Sequence, residues 1–282
     1  MGGRSFLPGV GRFIRRNPIG MIGASVVGVM VLTALLADPL APHDPISQLT
    51  LRLRPPSRAY LLGTDEFGRD ILSRIIFGAR ISLTVGTASV AISLIGGVPI
   101  GLVSGYYGRW VDLLIMRVVD IMLSIPPLVL AVAISGLLGA TLRNAILAIG
   151  IIYAPTFARL TRGAVLSTTR NDYVDAAKAV GASDLQIMLS HVAPNAAAPV
   201  IVHATLTLST AILLEAALSF LGLGTPPPAP SWGTMLGAGR KYLETSPWVT
   251  IFPGMAIMLA ILGFNLLGDA LRDALDPRMR TV

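Results

Sequence analysis

Long apolar runs alternate with short polar islands along the whole chain. The runs cover residues 19–37, 83–103, 113–138, 145–160, 199–221 and 250–267. Most approach the ~20 residues needed to cross a bilayer as a helix. The pattern predicts an all-α polytopic membrane protein with six transmembrane helices. The fourth run is the shortest and contains Pro155, and Pro126-Pro127 interrupts the hydrogen-bond ladder of the third. The second is rich in small residues (Gly86, Gly96, Gly97, Gly101), which let helix backbones approach closely.

Two polar stretches stand out. In residues 39–80, Pro39, Pro42, Pro45, Pro55 and Pro56 enforce extended and turn conformations. Further on, Thr64 is placed to cap a helix with Asp65 and Glu66 in its first turn. From Arg69 the apolar residues Ile71, Leu72, Ile75 and Ile76 then fall at helical spacing, as in a helix lying on the membrane surface. These boundaries divide the chain into a tail (1–18), a first transmembrane helix (19–38), an extracytoplasmic segment with an amphipathic helix (39–80), a five-helix core (81–276) and a second tail (277–282).

The other stretch, 171–195, reads NDYVDAAKAVGASDLQIMLSHVAPN. It predicts two short helices joined at Gly181, a residue free to take positive φ. Asn171 or Asp172 caps the first, Ser183 and Gln186 form a capping box for the second, and Pro194 closes the segment. Asp175-Ala176-Ala177, Gly181 after three residues, and Pro194 thirteen further on resemble the EAA loop of ABC importer permeases. In that family the loop is a cytoplasmic helix-turn-helix that docks in a groove on the ATPase subunit. Asp175 stands where the family usually has glutamate, and Ala193 where it usually has leucine. A plain helix pair joining two spans is the alternative.

Composition agrees with a membrane protein. The chain is 53% hydrophobic and 13% charged, with mean hydropathy +0.71, against roughly a quarter charged in soluble domains. The net charge of +7 is scattered between apolar runs, which favours helix flanks over nucleic acid. There is no cysteine, and His43, His191 and His203 lack metal-ligand spacing. Arg4, Arg12, Arg15 and Arg16 precede the first run and place the N-terminus in the cytoplasm; that run is too long for a cleaved signal core. Six crossings return the C-terminus to the cytoplasm and put the 171–195 island there. Thirteen of the 22 Lys and Arg then lie inside, and five acids dilute the exceptions between 38 and 80.

Arg117 and Asp120, three apart in the third run, are spaced to pair on one helical face. Glu215 lies deep in the fifth run and faces the pathway or a partner permease, or is a carboxyl buried for packing. No phosphate loop, Ser-His-Asp arrangement or HExxH motif is present, so ATP-driven work requires other subunits.

Further strings widen the resemblance to nearly the whole chain. GTDEFGRDILSRIIFGARISL before the second run, LEAALSFLGLG, PSWGTML and FNLLGD are similar to C-type subunits of dipeptide, oligopeptide and nickel permeases. The resemblance implies a type I ABC importer permease fold and a non-catalytic subunit of the plasma membrane. It implies a heterodimer with a B-type permease, two ATPase subunits that bind ATP and Mg, and an extracytoplasmic binding protein, with no cofactor on this chain. Asp175, Ala176, Ala177, Gly181, Ser183 and Pro194 become the candidate coupling residues. Peptide, nickel and haem-like cargo are all carried by importers of this build; a secondary transporter and a non-transporting scaffold are the other classes.

Overall fold

The computed structural model describes residues 18–49 and 51–275; the expectations for 1–17 and 276–282 lie outside them. Among the described residues the secondary structure is helical, apart from an isolated bridge between Thr64 and Asp70. In chain order the elements are α1 (Pro18–Leu35), α2 (Ala37–Leu40), α3 (Ile71–Tyr107), α4 (Arg109–Leu123), α5 (Pro127–Leu138) and α6 (Leu142–Thr168). These are followed by α7 (Asp172–Ala179), α8 (Asp184–Ile187), a π-helical turn (Met188–Val192), α9 (Ala193–Phe220), α10 (Trp232–Gly239) and α11 (Trp248–Leu275). Five continuous helical stretches are long and apolar enough to cross a membrane. The pair α4 and α5 is bent by 88° at Ser124-Ile125-Pro126, and makes a sixth if it is one span.

Several boundaries differ from the sequence expectation. The residues read as a separate surface helix are the first turns of α3, which runs unbroken for 37 residues, about 55 Å. Nothing between Arg74 and Ser82 breaks a helix except Gly78, whose missing side chain admits the Trp232 indole. Thr64 caps no helix. Asp70 does, its carboxylate accepting from the Ser73 amide at 2.8 Å. Thr64 instead ties two loop strands together, its Oγ1 accepting from Arg54 N (2.9 Å) and donating to Leu51 O (3.0 Å). Pro194 does not end the coupling segment either. A proline there lacks an amide and collides with the carbonyl four residues back; the wider π-helical turn just before it absorbs that misfit, so α8 continues into α9. The stretch between the last two apolar runs contains α10 and a 3-10 turn at Arg240–Tyr242.

The bundle is packed through small residues and hydroxyls. A Cβ at Gly97 or Gly101 would sit 2.3 Å from Ala154 O or 2.4 Å from Ala158 O, so α3 and α6 touch backbone to backbone. Ser89 and Ser93 donate across the same seam to Ile146 O (3.1 Å) and Gly150 O (2.9 Å). One buried cluster joins α1, α3, α9, α10 and α11, and another joins α3, α5, α6 and α9.

Helix order sorts the polar segments to two ends. Residues 41–70 and 221–247 share one, where Arg74 donates to Pro45 O (2.8 Å) and Pro228 O (3.3 Å), and Trp232 Nε1 to Ile75 O (3.0 Å). The opposite end carries the C-termini of α3 and α6 and all of α7 and α8.

Candidate functional site

An exposed apolar surface lies on the α7–α8 helix pair at one polar end of the bundle. Asn171 occupies the N-cap position of α7, but its side chain makes no capping bond and donates to Thr168 O instead (2.9 Å). At the other end Gly181 adopts φ +81°. Its amide donates to Lys178 O (3.0 Å) and that of Ala182 to Ala177 O (3.1 Å), the paired closure of a Schellman motif. Ser183 Oγ then accepts from the Gln186 amide at 3.4 Å to start α8.

One face of this unit is buried. Val174, Ala177, Ile187, Val192 and Ala196 pack with Val165 of α6 into a small core of their own. Ala177, one of the six candidates, packs in this core, whereas Ala176 beside it is exposed. The opposite face is open: Tyr173 and Ala176 on α7 and Val180 at its C-cap recur at helical spacing, and Leu185 and Leu189 follow four apart. Val180 is 84% exposed and Leu185 62%. Asp175 lies beside this surface, its carboxylate accepting from Lys178 Nζ at 3.1 Å in an exposed pair. Pro194 is exposed at the start of α9.

The pair is fastened to the bundle by polar contacts that no sequence spacing signals. Tyr106 Oη, at the end of α3, donates to Asp184 Oδ1 on α8 (2.8 Å). Nearby, Asp112 of α4 accepts from Ser104 Oγ (2.6 Å) and from the Arg162 guanidinium through both oxygens, one at 2.5 Å. Asp120 pairs with Arg159 of α6, not with Arg117 as expected. The i,i+3 spacing permits the expected pair, but α6 crosses closer and brings its own arginine. Arg117 is exposed and has no ion pair among the described residues.

Glu215 is fully buried. Its Oε1 accepts from Ser219 Oγ (2.7 Å) and Ser231 Oγ (2.9 Å), with Thr225 Oγ1 at 3.5 Å, while Oε2 has no protein partner. The side chain thus knits α9 to the turn before α10. Of the readings raised from sequence, this burial supports the carboxyl held for packing.

Comparison with known proteins gives consistent relatives. Residues 97–281 match the family described as binding-protein-dependent transport system inner membrane component, and residues 5–56 match the N-terminal TM domain of oligopeptide transport permease C. The di/tripeptide transport system permease protein DppC of Pseudomonas aeruginosa is 50% identical over 259 residues, 89% of this chain and 86% of the relative. The dipeptide transport system permease protein DppC of Alkalihalophilus pseudofirmus is 46% identical over 270 residues, 95% and 88% of the two chains. Among solved structures, an inward-facing MetNI methionine ABC transporter is similar with TM-score 0.60 at 22% identity, over 73% of this chain and 98% of the other, a likeness of fold.

Proposed function

The chain belongs to the family of binding-protein-dependent transport system inner membrane components, and we propose that it forms one half of the channel of a heterodimeric peptide importer driven through the α7–α8 pair. It is a permease subunit of an ABC importer, with an all-helical fold of that class. Peptides are the proposed cargo, by likeness to the relatives named for dipeptides and tripeptides. In this reading the termini and α7–α8 face the cytoplasm, residues 41–70 and 221–247 face outward, and a B-type permease completes the channel. ATP and Mg belong to two partner ATPases, so this chain performs no catalysis.

One observation carries the coupling reading: an exposed apolar face on a helix pair whose other face is buried in the bundle. Such a surface is a lever. Groups that grip Val180 and Leu185 from outside meet a unit that moves with α6 and α9, because its interior has nowhere to yield. Burying each of these side chains against a partner is worth about 1.5–3 kcal/mol. The double variant Val180→Asp, Leu185→Asp is therefore expected to lower ATPase binding by tenfold or more and to stop ATP-driven peptide uptake in reconstituted vesicles. Wild-type ATPase retention by this variant would refute docking at the pair.

A further inference from the structure

Residues 38–80 look electrically balanced in sequence, but the structure spends the acids locally. Asp38 pairs with Arg80 (3.0 Å). Asp44 turns its oxygens to the Ile46 amide (2.9 Å) and Ser47 Oγ (2.8 Å). Asp65 is taken by Arg69 (2.6 Å) and Arg74 (3.4 Å), and Glu66 by Arg69 (3.4 Å). Asp70 holds Ser73 and lies 3.7 Å from His43. Burial, with Asp65 alongside, pushes the Glu66 carboxyl above its ordinary value. Asp44 accepts only neutral donors and keeps its charge, while Arg52, Arg54 and Arg58 are three exposed guanidinium groups within seven residues, without an ion pair among the described residues.

Their backbone is fixed. Leu53 N donates to Asp65 O (3.0 Å) and Thr64 N to Arg54 O (3.0 Å), in addition to the two Thr64 hydroxyl bonds already described. Leu53 takes φ +55° and packs its side chain against the core, while the arginines on either side remain exposed. A non-glycine residue in that region is strained and is held there only by surrounding contacts. Pro55-Pro56 stiffens the chain that follows, and exposed Leu51 and Leu61 flank the patch.

We infer that Arg52, Arg54 and Arg58 form a seat for a carboxylate-rich face of the extracytoplasmic binding protein on which this family depends. The inference rests on the orientation proposed above, in which these residues face outward. Arginines at that end oppose the charge rule that sets orientation, so a binding demand is the physical reason to hold them there. Guanidinium groups bracketed by exposed leucines suit a protein interface, where arginine forks match carboxylates, and unpaired surface charge steers the encounter.

The test uses the assembled importer in phosphatidylcholine nanodiscs, with ATP hydrolysis measured against the concentration of the binding protein that stimulates the wild-type complex. Arg52→Glu, Arg54→Glu, Arg58→Glu together are expected to raise the half-stimulating concentration roughly tenfold or more at low salt and to flatten its salt dependence. The matching glutamine triple should fall between, and hydrolysis without binding protein should not change. An unaltered half-stimulating concentration in both triples overturns the seat. So does a defect confined to discs containing phosphatidylglycerol, which would assign the arginines to lipid headgroups. A wild-type complex indifferent to any binding protein would instead bring down the importer reading itself.

Discussion

Gly181 sits at φ +81° with its amide donated to Lys178 O, so two properties of one residue close α7. Proline supplies neither, having φ near −65° and no N–H. Gly181→Pro is expected to abolish binding-protein-stimulated ATP hydrolysis while the chain still inserts in the membrane; unchanged stimulation would remove the lever. Alanine retains the amide and strains φ by about 1–2 kcal/mol, so Gly181→Ala should lose only part of the response. Glu215 differs in kind, since one oxygen accepts three hydroxyls from residues up to sixteen positions away. Glu215→Gln keeps that acceptor, whereas Glu215→Ala strands the hydroxyls and opens a hole, at about 1–3 kcal/mol for each unsatisfied group. Thermal unfolding of the purified subunit should rank wild type, Gln, then Ala; an Ala variant as stable as wild type contradicts the packing role. The glycine turn and the Ser183 cap were legible because their partners lie within five residues. The hydroxyls around Glu215, and Arg159 beside Asp120, were not, because tertiary packing brings them together.

At the scale of elements, the apolar runs located the helices, but prolines and charges misplaced their ends. Pro155 and Pro194 sit inside continuous helical stretches, and the charged start of α3 is internally neutralised, so neither signal stopped a helix. What holds the elements is equally specific. Gly101 lets α3 lie on Ala158 O of α6, and a side chain there must push the helices apart. Gly101→Val is expected to destabilise the subunit by more than the 1–3 kcal/mol typical of overpacking, read as loss of monodisperse protein in detergent. The Asp112–Arg162 pair clamps the first turn of α4 to α6. Replacing Asp112 by Asn should weaken α4 attachment, and the exchange Asp112→Arg, Arg162→Asp should restore part of the stability; equal loss in the exchange variant would deny the pair a direct role.

The whole molecule is an all-helical bundle with a polar layer at each end, and its family and general architecture were readable from the order of several strings. The sequence could not reveal how charge divides between the layers, because that depends on which acids fold back onto which arginines. The central claim is that α7–α8 faces the compartment holding ATP and is gripped there by another subunit. The chain contains no cysteine, so Val180→Cys provides a single chemical reporter at the most exposed point of the pair. A membrane-impermeant maleimide should label it in inside-out vesicles and not in intact cells, with labelling suppressed when the ATPase subunits are assembled. Labelling from outside intact cells, or labelling unaffected by those subunits, would contradict the account.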